Sequence, residues 1–387
     1  MKRTKNRNVF VKRIREYLEK ITVKRRPFIA FQIEPTSRCQ LKCIICPRTT
    51  FFNEWESGDM PLSTYRSISD YFDRVQDIHL QGWGEPLLNP NLFDMIQIAK
   101  AKKCTVSLTT NGFNLTPDIS ERLTKEGLDI IAISIAGASK KTHERIRCGS
   151  HFEQLIENIN VLNELKVMRK SKTPKIVLSY MMTKMNIDEL PEIVHLSKDM
   201  RVNELVATNL DYTPTSVQDG LRVFSCNTAD SRFKKIVDIS VREAKKKKLP
   251  FRVYPLEMEE VIICEMNPLR IAFFSYDGCV SPCIYLNMTK QGPLQRLFCG
   301  SHSNVQKVRF GNITEDDFMG IWEKSDYREF RRAYSTRLRL VSNVYRDIEV
   351  EMTTVDRLKE IERTIGKTLM KNPVPEVCRT CYKAYDM

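Results

Sequence analysis

FIAFQIEPTSRCQLKCIICP, residues 28–47, is the stretch whose reading decides the fold of this 387-residue chain. An apolar run is followed, inside one short loop, by Cys39, Cys43 and Cys46 at Cys-x3-Cys-x2-Cys spacing. Protein 4Fe-4S clusters are ordinarily held by four Cys thiolates, so a compact group of three holds a cluster with one iron left open to a substrate or cofactor. The rivals are a zinc knuckle and three unrelated thiols. Zinc sites usually arrange four ligands as two close pairs, and no nearby Cys or His completes one here.

Downstream of this loop, strand-like runs alternate with amphipathic stretches. The predicted strands are 28–34, 77–81, 104–110, 129–135, 175–181 and 203–209, and the predicted helices lie near 62–75, 91–102, 117–126, 152–170, 187–199 and 229–248. Runs read as apolar on both faces, each separated from the next by a helix, imply a parallel sheet with crossover helices. Residues with chemistry to offer fall at the strand ends. The second run leads into Gly82-Trp83-Gly84-Glu85-Pro86, where glycines let the backbone approach a ligand closely and a carboxylate can receive an ammonium group. The third ends in Thr110-Asn111-Gly112, and the fourth in Ser134-Ile135-Ala136-Gly137, with Arg147 ten residues beyond. Each of these also reads as a turn residue or a surface cation.

Together the Cys loop and these segments resemble the radical S-adenosylmethionine (radical SAM) superfamily. The resemblance implies an α/β fold, a partial (βα)6 TIM-like barrel, with chemistry gathered at the C-terminal ends of the strands. It implies a 4Fe-4S cluster on Cys39, Cys43 and Cys46, and S-adenosyl-L-methionine bound at the open iron. Gly82, Gly84 and Glu85 would grip the methionine amino end, Asn111 and Ser134 would be polar contacts near the ribose or carboxylate, and Arg147 would fork onto the carboxylate. Ile45 stands where the family often has an aromatic residue packed on adenine, so it offers apolar contact without stacking.

Past the Lys245–Lys248 run and Pro250 the alternation stops and cysteines return. Asp277-Gly278 between apolar runs is a hairpin signal, and Phe318, Ile321, Trp322 and Phe330 recur at helical spacing. Cys378-x2-Cys381 lies near the end of the sequence. This layout resembles the auxiliary-cluster extension called SPASM or, in its shorter form, twitch, a small C-terminal α+β domain. The resemblance implies a second, auxiliary 4Fe-4S cluster on Cys264, Cys283, Cys378 and Cys381, with Cys279 an alternative ligand and structural zinc the rival metal. Of the other cysteines, Cys104 reads as an ordinary core thiol, while Cys148, Cys226 and Cys299 join no compact group. Residues 333–373 exceed what the family layout needs, and carry a helical pattern around Val355, Leu358, Ile361 and Ile365.

The expected domains are thus a basic arm over 1–26, the radical SAM core over 27–249 and the auxiliary-cluster domain over 250–387. The arm holds eleven Lys or Arg against Glu16 and Glu19, a net +9 of the chain's +14, on an amphipathic pattern of Phe10, Ile14, Leu18 and Ile21. It reads either as a helix capping the domain or as a contact with an anionic partner such as a membrane surface, nucleic acid or an acidic substrate. With 42% hydrophobic residues, no signal peptide and no run of membrane-spanning length, the chain reads as cytoplasmic, its twelve thiols reduced or metal-bound.

The function the resemblance implies is reductive cleavage of S-adenosylmethionine to a 5′-deoxyadenosyl radical that abstracts hydrogen from a substrate C–H bond. The expected reactions are peptide or protein modification (a maturase) or dehydrogenation assisted by the auxiliary cluster, with ferredoxin or flavodoxin as electron donor and a peptide or small molecule as substrate. The alternative is a non-catalytic iron–sulfur or zinc protein for electron transfer or binding of an anionic partner. Such a carrier has no need of the segment from Gly82 to Pro86.

Overall fold

The computed structural model describes residues 26–346 and 355–387. The proposed basic arm therefore lies outside the described residues except for Arg26. That guanidinium donates to the carbonyls of Phe72 (3.0 Å), Val75 and Lys102 (3.3 Å), tying the chain to the base of the sheet.

Six strand–helix units follow in order. They are β1 (Phe28–Ile33) and α1 (Leu62–Ser69), β2 (Val75–Leu80) and α2 (Leu92–Ala101), β3 (Thr105–Thr110) and α3 (Pro117–Lys125). Then come β4 (Ile130–Ile135) with α4 (Lys140–Ile146) and α5 (Phe152–Met168), β5 (Lys175–Met182) with α6 (Leu190–Asp199), and β6 (Glu204–Asn209) with α7 (Ser231–Lys246). Neighbouring strands from β1 to β6 are all parallel, as the crossover pattern requires. Five of the six helices stop within about a turn of their predicted ends. The 62–75 stretch instead breaks after Ser69 into a short 3-10 turn, and the short α4 was not predicted.

One expectation needs correction. The strands are not apolar on both faces. Phe31, Ile33, Ile78, Leu80, Val106, Leu108, Ile131 and Ile133 are fully buried, while the alternate positions carry Gln32, His79, Ser107, Thr109 and Ser134 and are only partly buried. Period-2 alternation turns the first set toward the helices and the second into the barrel lumen. A packed helical layer and a wetter, polar interior thus coexist on the same strands.

The sheet continues past residue 250. Strand β7 (Phe251–Val253) adds parallel to β6, and β8 (Ile271–Phe274) returns to lie parallel to the other edge, beside β1. Its hairpin partner β9 (Cys279–Ser281) turns at Asp277-Gly278, where Gly278 has φ +83°, and Asn312 of the two-residue β12 (Gly311–Asn312) pairs with Cys279. The two-stranded ladder of β10 (Leu294–Phe298) and β11 (Ser301–Val305) stands apart. Helix α8 (Phe318–Glu323) is capped by Asp317, whose carboxylate accepts from Met319 and Gly320, and it drives Phe318 and Trp322 onto Phe28 and Phe31 of β1.

Helices α9 (Ser325–Arg346) and α10 (Val355–Lys371) form the extra 333–373 segment as a helical pair. The fully buried Arg337 guanidinium fixes the pair in place. It donates to the carbonyls of Ile262, Val261 and Asn372 and pairs with Glu260 at 2.9 Å. Among the described residues no helix is long and apolar enough to cross a membrane. The expectation of reduced thiols is corrected at one place. Cys226 and Cys299, 73 residues apart in sequence, form a disulfide, because the fold brings their Cα atoms to 5.8 Å.

Candidate iron-sulfur and cofactor site

The loop after β1 packs directly against the loop after β2. The Glu85 N–H donates to the Arg38 carbonyl at 2.8 Å, and a Cβ on Gly84 would meet the Thr36 carbonyl at 2.1 Å. A Cβ on Gly82 would meet the Glu34 side chain at 2.0 Å. Both positions therefore need glycine for close backbone approach. The far side of the Cys loop pairs with the end of α4, through Lys42 N–H to Cys148 O and Ile44 N–H to Ile146 O.

Cys43 lies close enough to Cys39 and Cys46 to act on the ionisation of both. Burial, followed by the neighbouring Cys43, pushes Cys46 up to about 12, and burial also raises Cys39. Buried thiols with few nearby cations stay protonated in the bare protein. Iron supplies the positive charge that makes three thiolates stable there, so the donor set fits a cluster.

Around the loop stand the other expected residues. Asn111 Nδ2 approaches Cys39 Sγ at 3.6 Å, and its Oδ1 accepts from the Phe113 N–H. Ile45 packs with Ala136, Ile146 and Leu210 in an apolar pocket. Arg147, at the C-terminal end of α4, has no side-chain partner among the described residues and its Nε is buried. Its charge reaches Glu85 and adds to the burial that drives His143 down to about 3. Ser134 stands opposite Ser179 on the lumen wall.

Glu85 lies at the junction of the loop after β2 with the end of β3. Its carboxylate is buried and committed inward, Oε1 accepting from Thr110 Oγ1 (2.7 Å) and Leu87 N–H (3.2 Å), Oε2 from Asn111 N–H (2.7 Å). Burial raises its pKa, and these three donors and Arg147 oppose the rise. With three donors on it, the carboxylate holds the loop to the end of β3.

The second centre is a small open cavity lined in part by Cys264, Cys283, Cys378 and Cys381. Each of Cys264, Cys283 and Cys378 is raised first by burial and then by the neighbouring thiols, Cys378 to about 12. Tyr334 of α9 lines the cavity together with Cys378, so the extra helical pair reaches it. Cys279 is not in its lining. That thiol faces Asp277 and accepts from Asn312 Nδ2 at 3.7 Å. Among the described residues no group of three or more His, Cys, Asp or Glu side chains is already arranged as the ligands of a metal ion.

Sequence reasoning missed three features. Lys383 also lines the cavity, fully buried and paired with Asp211 (2.7 Å) and Glu265. Burial alone would lower this lysine, yet Asp211, Tyr285 and Glu265 hold it well above its usual value. Glu34, at the end of β1, is buried beneath both loops. Trp83 bridges the centres, its ring edge-on to Tyr212 (6.0 Å) and Tyr285 (5.9 Å), with Nε1 donating to the Ile284 carbonyl. Its position between two glycines was the available signal.

Comparison with known proteins agrees with this architecture. Residues 33–197 match the radical SAM superfamily, and 264–382 match the SPASM iron-sulfur cluster-binding domain. The tungsten-containing aldehyde ferredoxin oxidoreductase cofactor-modifying protein of Pyrococcus furiosus is 26% identical over 77% of this chain and 82% of its own length. The AdoMet-dependent heme synthase of Methanosarcina barkeri is 26% identical over 77% and 83%. Among solved structures, Streptococcus suis SuiB bound to its precursor peptide SuiA superposes with a TM-score of 0.54 at 16% identity, covering 81% of this chain and 69% of that one.

Proposed function

The chain belongs to the radical SAM superfamily and carries a C-terminal SPASM domain, and on that footing we propose that it is a maturase that modifies a peptide or protein substrate at an unactivated C–H bond. Family membership makes it an enzyme whose cofactors are a 4Fe-4S cluster, S-adenosylmethionine and an auxiliary iron–sulfur cluster, and sets aside a non-catalytic carrier. The observation that carries the reading is the cavity in which Cys264, Cys283, Cys378 and Cys381 meet, joined through Tyr285 and Trp83 to the loop beside Cys39. Bound there, the cofactors supply reductive C–S cleavage, hydrogen abstraction and an electron acceptor.

The chain's own residues then do the positioning. Cys39, Cys43 and Cys46 hold the first cluster, and the backbone at Gly82 and Gly84 closes on the methionine end. Arg147, free of any described partner, takes the carboxylate, Asn111 and Ser134 supply polar contacts, and Ile45 packs on the adenine. Four protein thiolates at the auxiliary site leave no iron open to substrate, which favours electron acceptance over substrate ligation. A peptide substrate is supported by SuiB, whose structure holds a precursor peptide. A ferredoxin or flavodoxin is the proposed electron donor.

The test is to reconstitute the protein anaerobically, reduce it, and follow 5′-deoxyadenosine with S-adenosylmethionine alone and with peptides encoded beside its gene. A mass change in such a peptide that requires both cofactor and reductant supports the reading. Cofactor cleavage that no peptide stimulates, together with modification of a small metabolite, would replace it.

A further inference from the structure

Below the mouth of the barrel, three strands bring polar side chains into one row. The register sets Gln32 of β1 against His79 of β2, and His79 against Ser107 of β3. His79 Nδ1 meets Ser107 Oγ at 2.8 Å, and His79 Nε2 meets Gln81 Oε1. Thr109 Oγ1 donates to the same Gln81 oxygen at 2.9 Å, while Gln32 Nε2 donates to the Gln81 backbone carbonyl at 3.2 Å. Since burial lowers His79, its ring is neutral and carries one N–H, which goes to Gln81 Oε1 while Nδ1 accepts from Ser107.

Two donors thus converge on one face of the Gln81 amide and fix its rotation. The opposite face, the Nε2 amino group, has no partner among the described residues. Gln81 adjoins Gly82 and shares the lumen-side alternation of His79, so this pair of N–H donors stands at the C-terminal mouth beside the cofactor loop. Thr109, Ser134 and Ser179, which face the lumen nearby, are all uncharged. Glu34, two residues beyond Gln32 on the same alternation, is a carboxyl engaged by the Trp83 and Tyr276 N–H groups. Arg147, the cation whose charge reaches Glu85, is committed to the cofactor's carboxylate in the reading above, so a substrate carboxylate or phosphate entering here would be desolvated beside the Glu34 acid, whereas a neutral carbonyl needs only the donors already aimed.

We propose that Gln81 is a specificity-determining residue whose fixed amide donates to an uncharged carbonyl oxygen of the substrate, the amide carbonyl of a peptide. This rests on the reading of the protein as a peptide-modifying enzyme and narrows it to substrates whose reacting segment is neutral. Preorganisation is the physical gain, because the donor's rotamer is fixed before the substrate arrives.

The experiment uses anaerobically reconstituted protein labelled with 15N-glutamine and saturated with S-adenosylmethionine. N-acetylglycinamide, acetate and inorganic phosphate are the probes. The Gln81 side-chain resonance, assigned by its loss in Gln81→Glu, is expected to shift saturably with N-acetylglycinamide and not with the two anions. In Gln81→Glu, which keeps an oxygen to accept from His79 and Thr109 and removes the donors, saturation transfer to N-acetylglycinamide should report an affinity at least about tenfold weaker. Gln81→Met serves in its place if the Glu variant does not fold. The proposal is overturned if an anion shifts the resonance as strongly, if N-acetylglycinamide leaves it unmoved up to its solubility limit, or if S-adenosylmethionine alone accounts for the shift. Iron content and cofactor cleavage, measured on the same wild-type sample, test the enzyme reading separately, so the two fail distinguishably.

Discussion

The Glu85 carboxylate accepts the Asn111 backbone N–H at 2.7 Å, joining the loop after β2 to the end of β3. With Thr110 Oγ1 and the Leu87 N–H on its other oxygen, it works as an internal clamp. Gln in its place would turn an amino group toward at least one of these donors. Glu85→Gln should therefore cost about 1–3 kcal/mol of stability and weaken S-adenosylmethionine binding only as far as the loop loosens. Thermal unfolding and cofactor titration on the same iron-loaded sample check this. A normal melting temperature with lost cofactor affinity would mean that the carboxylate meets the cofactor directly.

The two thiol groups should behave as separate centres. Reconstituted protein should bind about eight irons, two 4Fe-4S clusters, and the Cys39/Cys43/Cys46 triple Ala variant should keep about half. Replacing Cys378 and Cys381 by Ala should remove the other half, preserve cleavage of S-adenosylmethionine and abolish oxidised product. Iron analysis with quantitation of 5′-deoxyadenosine and product reads all three. Full iron retention by the triple variant would contradict the assignment of the first loop.

What the sequence disclosed, and what it hid, divides along a physical line. All six strands from Phe28 to Asn209 were legible within two residues, because their helix-facing positions repeat Ile, Leu, Val and Phe at period two. The lumen side was misread. Gln32, His79 and Thr109 sit inside runs apolar enough to look buried on both faces, and only the closed curvature of the sheet separates a helix-packed face from a polar interior. Spacing also placed Cys39, Cys43 and Cys46, which are local, whereas the gathering of Cys264 and Cys283 with Cys378 and Cys381 is a long-range product of the fold. The Cys226–Cys299 pair, the Lys383 ion pairs and the inward turn of Glu85 left no periodic trace, since each depends on partners distant in sequence.

Arg337 shows how the extra helical pair is held. Its guanidinium is 0% exposed and satisfies three carbonyls and Glu260. Arg337→Met should fill similar volume yet leave those acceptors unpaired, at a cost on the order of 3 kcal/mol. Because Tyr334 lies one turn earlier on α9 and lines the cavity beside Cys378, the variant should also release auxiliary-cluster iron faster to a chelator while the first cluster is retained. Denaturant unfolding and chelation kinetics check the two effects. Unchanged chelation with lowered stability would confine Arg337 to the helical pair.

Glu34 gives a pH dependence of defined sign. It is fully buried, with Oε1 accepting from the Trp83 N–H at 2.8 Å and Oε2 from the Tyr276 N–H at 3.3 Å. Burial lifts its carboxyl from 4.5 to about 7, the two N–H bonds pulling against the rise and Asp277 adding to it. A folded-state pKa above the unfolded one means that the native state binds the proton more tightly. The stabilising contribution is complete below about pH 4.5 and disappears as pH rises through about 7. His79 and His143, whose pKa values are lowered, act in the opposite sense and lose stability as pH falls below their unfolded value of 6.5. Glu34→Gln keeps an acceptor for Trp83, gives up the longer bond to Tyr276 and cannot ionise. Across about pH 5 to 8 the wild type should lose roughly 1–3 kcal/mol relative to this variant, read from denaturant midpoints at constant ionic strength. Parallel profiles would show that Glu34 does not carry the slope. The two N–H bonds strengthen on ionisation but do not offset the buried charge, which sits where the cofactor loop meets the β8–β9 hairpin, so auxiliary-cluster iron should be released faster at pH 8 than at pH 6 in the wild type and at equal rates in Glu34→Gln.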